Sequence, residues 1–161
     1  SIPNVNPSSD ANVVPSNYSG CIWSNFNVVM PSVILPNSGY MTLVKSGSGQ
    51  SIAYNGQGRS ASIGALPRQT LNVKSFLATG AWNNNLKLSI LGYRSGYIVY
   101  TSNVILQATT TSIIDLHWIN IERINFTSSA GTSAGFPNYR GSEFVIDDLC
   151  LSKQQDDIII G

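Results

Sequence analysis

The only histidine of the chain, His117, stands in Ser112-Ile113-Ile114-Asp115-Leu116-His117-Trp118. On a strand, Asp115 and His117 share a face, so the carboxylate could orient the imidazole as a hydrolytic triad requires. No nucleophile elbow flanks the pair. A structural or exposed histidine is therefore the expected reading, and no catalytic residue is assigned. The adjacent carboxylates Asp147 and Asp148 point to opposite faces of a strand and cannot by themselves form a glycosidase acid pair. Phe144, Ile146, Asp148 and Cys150 make one face of that strand; Val145, Asp147, Leu149 and Leu151 make the other. Both faces are otherwise apolar, so one carboxylate lies among hydrophobic neighbours and needs donors or a cation. Backbone N–H groups of a neighbouring loop supply them on one reading. On the other, Asp147 and Asp148 help hold a structural Ca²⁺ with loop carbonyls, because hard cations prefer oxygen ligands. No other cofactor is expected.

Aromatic rings offer a different chemistry, the stacking of apolar sugar faces. Of three tryptophans, Trp82 in Gly80-Ala81-Trp82-Asn83-Asn84-Asn85 is the most loop-like, while Trp23 and Trp118 read as core or rim. Trp82 with Asn83 and Asn84 is the first choice for a ligand platform, and Tyr139 is the second.

The two cysteines, Cys21 and Cys150, belong to no CxxC or Cys/His cluster, so a metal site built on them is not expected. If Ile22, Phe26 and Val28 are the core side of a strand over 21–29, Cys21 points outward. Two outcomes stay open. A bridge within the chain would tie the first strand to the last and contribute about 4–5 kcal/mol in the chain-entropy model. Exposed thiols could instead cross-link neighbouring molecules in an oxidising compartment. The sequons Asn17-Tyr18-Ser19 and Asn125-Phe126-Thr127 make Asn17 and Asn125 candidate glycosylation acceptors.

The elements that must position these residues are strands. Apolar residues recur with period two almost throughout: Leu86, Leu88 and Ile90 alternate, and Ile98-Val99-Tyr100 resumes after a turn containing Ser95-Gly96, which predicts a hairpin. Further strands are predicted over 21–29, 40–44, 51–54, 71–79, 112–118, 123–128 and 143–151. Gly, Pro, Asn and Ser separate them, as in Pro36-Asn37-Ser38-Gly39 and Asn55-Gly56-Gln57-Gly58, and supply the backbone angles that turns require. No long amphipathic helix is visible, and the best local candidate is one turn at 119–122. Eight to ten short strands with regular turns predict an all-β fold, a single antiparallel β-sandwich of jelly-roll or galactose-binding-like type spanning 1–161. Residues 1–20 read as an irregular lead-in. Residues 152–161 read as a frayed tail or an arm held by a neighbour.

Composition narrows the partners. Nine Lys plus Arg and eight Asp plus Glu make only 11% of 161 residues charged, against about 25% in ordinary domains. A surface of Asn, Ser, Thr, Gly and Gln repels weakly, and a net charge of +1 favours association. The cations are scattered, which argues against nucleic acid and anionic membrane as partners. No apolar stretch approaches the roughly 20 residues of a membrane span. Ser1 reads as the start of an exported mature chain or as a domain edge.

Four segments carry a resemblance: Tyr18-Ser19-Gly20-Cys21-Ile22-Trp23-Ser24-Asn25-Phe26, Ile52-Ala53-Tyr54-Asn55-Gly56, Ala81-Trp82-Asn83-Asn84 and Glu143-Phe144-Val145-Ile146-Asp147-Asp148-Leu149. Together they resemble exported bacterial β-sandwich proteins of the PEP-CTERM type. The last segment is similar to the closing strand of galactose-binding-like carbohydrate modules. The chain also resembles the octins, matrix proteins of octahedral vacuolar crystals in mucoralean fungi. That resemblance implies high-order assembly and intermolecular disulfides, a role that would fall on Cys21 and Cys150, in a vacuole; the bacterial likeness implies a periplasmic or extracellular place. The expected function is thus a non-enzymatic, extracytoplasmic structural protein that associates with itself. The alternative is a secreted module that binds a neutral glycan through Trp82, Asn83, Asn84 and Tyr139.

Overall fold

The computed structural model describes residues 12–30, 36–47, 51–136 and 140–155. Tyr139 and the Ile158–Ile160 end of the expected tail lie outside the described residues.

The predicted antiparallel sandwich is present. Thirteen strands are found among the described residues, of which β1 (Asn12–Val13), β7 (Asn83–Asn84) and β12 (Thr132–Ser133) have two residues each. The other ten, together with β1, build two sheets. A six-stranded sheet has the order β1-β3-β4-β13-β6-β10, where β3 is Phe26–Val29, β4 Ile52–Asn55, β13 Phe144–Gln155, β6 Gln69–Gly80 and β10 Ser112–Ile121. A five-stranded sheet has the order β2-β5-β11-β8-β9, where β2 is Cys21–Ser24, β5 Ala61–Ala65, β11 Arg123–Ser129, β8 Leu86–Arg94 and β9 Tyr97–Leu106. Their inner faces meet in one core whose centre is aromatic: Phe126 lies 5.8 Å from both Phe26 and Phe76 and 5.7 Å from Phe144. Edge-to-face packing suits the ring quadrupoles and adds to the area buried.

Three differences from the sequence reading share one cause, a residue whose φ breaks the alternation. The run 21–29 is two strands in two sheets. Asn25, at φ 57°, lets the chain cross between them, and asparagine tolerates that left-handed conformation better than most side chains. The crossing flips parity, so Cys21 and Trp23 are buried together with Phe26 and Val28, while Ile22 is exposed. Cys21 therefore points inward, not outward. The second break is Asp148, at φ 49°, where a bulge lets Asp147 pair with Leu77 and Cys150 with Ser75. Phe144 and Ile146 face the core before the bulge, and Leu149 and Leu151 pack on it afterwards. The third is β10, with bulges around His117 (φ 52°) and Asn120 (φ 56°). It runs through the segment where a helical turn was expected.

Residues 40–44, expected as a strand, belong instead to the helix α1 (Gly39–Ser46). The Ser38 side chain caps it by accepting the Met41 N–H at 3.3 Å. Tyr40 and Leu43, three apart on one helical face, are buried against the outer face of the six-stranded sheet with Val29, Ile52 and Val145. Gly39 is required here, because a Cβ would collide with the Gly80 carbonyl. The ends differ as well: β1 lies in the expected lead-in, and β13 extends through 152–155 paired with 69–72.

One polar side chain joins both sheets. Asn55 is fully buried; its Nδ2 donates to Arg59 O (2.9 Å) and Ser128 Oγ (3.0 Å), and its Oδ1 accepts the Phe144 N–H (2.7 Å). Ser128 lies on the five-stranded sheet and Phe144 on the six-stranded one, so all of this amide's partners are fold contacts.

Candidate functional site

The sequence-predicted residues are not brought together in one place. Trp82 is half-buried, and its ring sits 5.2 Å from that of Tyr40 at a tilt of 53°, so it packs on the helix rather than standing free. Asn83 and Asn84 form β7, paired with β12. Their side chains hold backbone: Asn83 Nδ2 donates to Ala130 O (3.3 Å), and Asn84 Oδ1 accepts the Ala108 N–H (2.9 Å). Asp147 is buried and Asp148 exposed. Asp147 Oδ1 accepts the Asp148 N–H at 2.8 Å, and its other oxygen lies against Gly47. Among the described residues no three His, Cys, Asp or Glu side chains cluster to hold a metal ion.

Both thiols are free; Cys21 is in the core and Cys150 is exposed on the outer side of β13. Burial raises the pKa of the Cys21 thiol, partly offset by the Lys153 charge, which keeps it protonated and unreactive. Asn17 is exposed before a short turn at Tyr18–Gly20, whereas Asn125 is half-buried in mid-β11. Asp115 and His117 are both exposed on β10, with a register shift between Asp115 and Trp118. His117 lines an open groove of about 320 Å³ with Asn72, Lys74, Ile119 and Cys150, and no carboxylate lines that groove.

The arrangement with chemical potential lies elsewhere, at the start of α1. Ala81 is its hub: its N–H donates to Glu143 O (2.9 Å), and its carbonyl accepts the Gly39 N–H (2.9 Å). These two bonds draw the helix start, Trp82 and Glu143 to one point. Tyr40 meets Tyr54 edge-on at 5.3 Å, so Trp82, Tyr40 and Tyr54 form a continuous aromatic wall. Asn27, paired with Tyr54 across β3 and β4, hydrogen-bonds the Tyr54 side chain.

Glu143 faces this wall. Burial raises its pKa above the ordinary carboxylate value; its own N–H and that of Gln57 pull it part of the way back. Gln57 presents its N–H from a tight turn in which its φ is 58°. Burial, then the Glu143 charge, push the Tyr40 and Tyr54 phenols upward as well, so both remain neutral donors. Glu143 Oε2 is buried and has no hydrogen-bond partner. An acceptor buried without a partner costs roughly 1–3 kcal/mol, so it calls for an explanation.

Tyr40, Tyr54 and Glu143 were missed by sequence reasoning. Tyr40 was assigned to a strand, and Glu143 offered no motif. The Ser38 cap three residues before Met41 was the one signal that could have placed Tyr40 on a helix.

No family model matches this chain, and no curated protein does. Three solved structures are similar in shape. One is the TmCBM61 structure in complex with β-1,4-galactotriose, at 19% identity over 85% of this chain and 90% of that one, with a TM-score of 0.39. Another is the enzymatically active domain of bacteriophage CBA120 tailspike protein 4, at 13% identity and a TM-score of 0.38, covering 86% of this chain but 20% of that one. The third is a CBM4 structure, at 15% identity over 95% and 94% of the two chains, with a TM-score of 0.29. Overlap this loose transfers neither residue roles nor ligands.

Proposed function

We propose that this protein is a non-catalytic module that binds a neutral glycan at the Trp82–Tyr40–Tyr54 wall. The carrying observation is Glu143, whose buried Oε2 stands without a partner beside that wall. A sugar presents both complements: an apolar face to stack on the rings and hydroxyl groups to donate to the carboxylate. This reading assigns no glycosidase chemistry, because that needs a pair of carboxylates and Glu143 is the one carboxylate placed at the wall.

The test is calorimetric titration of the chain with neutral oligosaccharides, including β-1,4-galactotriose and cello-, xylo- and malto-oligosaccharides. Saturable binding to at least one is expected. Glu143→Gln should weaken it about tenfold, the loss of a hydrogen bond to a charged group. Binding to none of them overturns the reading. So does binding that Glu143→Gln and Trp82→Ala both leave unchanged.

A second reading, self-association of an octin-like kind, is favoured by the sparse charge of the surface. The exposed Cys150 is the thiol available to a neighbour, whereas Cys21 would have to leave the core. Non-reducing gels that show only monomer would remove the cross-link.

A further inference from the structure

Two sheets present four edges, and three of them are protected. β1 is two residues long. β2 has four residues, and its Trp23 N–H is already taken by Ser16 O at 2.8 Å. β10 has ten residues but is broken by two bulges and carries the exposed Asp115. Short strands, covering segments, bulges and edge charges are the devices that stop sheets from pairing edge to edge.

β9 is different. It is the outermost strand of the five-stranded sheet, ten residues long, with neither a charged residue nor a proline in Tyr97-Ile98-Val99-Tyr100-Thr101-Ser102-Asn103-Val104-Ile105-Leu106. Its one irregularity lies near the turn, beside Tyr93, and residues 100–106 pair with β8 in unbroken register. Tyr97 is 76% exposed, Ile98 54% and Ile105 52%. Among the described residues no strand pairs with its outer side.

We infer that β9 is the surface through which two copies of this chain associate, by antiparallel pairing of β9 with β9. The inference rests on the self-association reading and gives it a location. A second copy suits this edge because an uncharged strand meets itself without like-charge opposition, and the net charge of +1 adds little repulsion at long range. Twofold pairing centred on Asn103 sets Thr101 against Ile105 on the outer face and makes a closed, isologous contact. Ten residues at about 3.4 Å each give an edge roughly 34 Å long in a sheet about 10 Å thick. That strip covers less than the ~800 Å² per partner of a standard interface, so the dimer is weak and depends on concentration.

Sedimentation velocity of the full chain over a wide concentration range, with reductant present, reads the dimer directly. Asn103→Lys places two ammonium groups opposite each other at the twofold axis, and Ile105→Lys adds a charge at a second exposed position. Each should weaken dimerisation at least about tenfold while leaving the circular dichroism spectrum and Tm near wild type. Amide exchange of 97–106 should slow as protein concentration rises. Dimers that persist undiminished in both folded variants overturn the assignment to β9 but leave self-association standing. A wild-type chain that stays monomeric throughout overturns both.

Discussion

Asn55 and Glu143 flank the same residue and are treated in opposite ways. Asn55 is fully buried, and every polar atom of its amide has a partner: two acceptors for Nδ2 and the Phe144 N–H for Oδ1. Glu143, one residue before Phe144, accepts N–H groups at one side and leaves Oε2 buried with nothing to bond. Where a polar group must hold the two sheets together, it is fully satisfied. At Glu143 the incomplete carboxylate stands close enough to Tyr40 and Tyr54 for its charge to act on both phenols. Buried polar groups in folded proteins are nearly always paired, so Glu143 Oε2, like Ser51 Oγ and Asn125 Oδ1, calls for an explanation.

The contrast breaks most visibly at Asn55. Asn55→Ala orphans the buried Phe144 N–H and removes the bonds to Ser128 Oγ and the Arg59 carbonyl. The cost should be about 3 kcal/mol, which lowers Tm by roughly 6–12 °C in a chain of this size. A loss near zero, read by calorimetry or thermal melts, would mean that the junction carries no strain and that the contrast with Glu143 is empty.

Glu143→Gln should act in the opposite direction and by less, on the order of 1 kcal/mol, because Glu143 is half-exposed and partly screened. Its sign follows from the raised pKa. A carboxyl that is harder to ionise in the folded state than in the unfolded one stabilises fully at pH below its unfolded value. That contribution is lost as pH climbs through the folded value. The variant's Tm should therefore match the wild type in acid and exceed it at neutral pH. Glycan binding to the wild type should weaken over the same interval as pH falls, since the ionised form is the better acceptor. A Tm difference that does not vary with pH would remove Glu143 as a titrating, unsatisfied group.

Asn83→Ala sharpens the comparison from its weak end. Its single bond to Ala130 O is exposed, so the change should cost under about 0.5 kcal/mol and leave any glycan affinity intact. A tenfold loss of binding would return Asn83 to the ligand platform and shift the site toward β7.

Part of this was legible beforehand. The hairpin of β8 and β9 and most of the other strands follow from alternation and turn residues, and Trp82 stood out as the most loop-like tryptophan. Asn55 was read only as a turn residue, because nothing local reveals that its amide reaches Ser128, 73 positions away, and Phe144, 89 away. The helix was misread because Tyr40-Met41-Thr42-Leu43-Val44 carries β-prone residues. A capped N-terminus and burial of Tyr40 and Leu43 against the sheet outweighed that preference.

By itself, the amino-acid order determined the class of fold and the neutrality of the exterior, because side-chain alternation, turn chemistry and charge are properties of neighbouring residues. Only the tertiary structure decided which way those alternating faces point. The crossing at Asn25 and the bulges at Asn120 and Asp148 form in response to the strands beside them, and each one exchanges inside for outside downstream. The meeting of Tyr40, Tyr54, Trp82 and Glu143 belongs to the same category, since it is made by two backbone bonds at Ala81 between segments far apart in the chain.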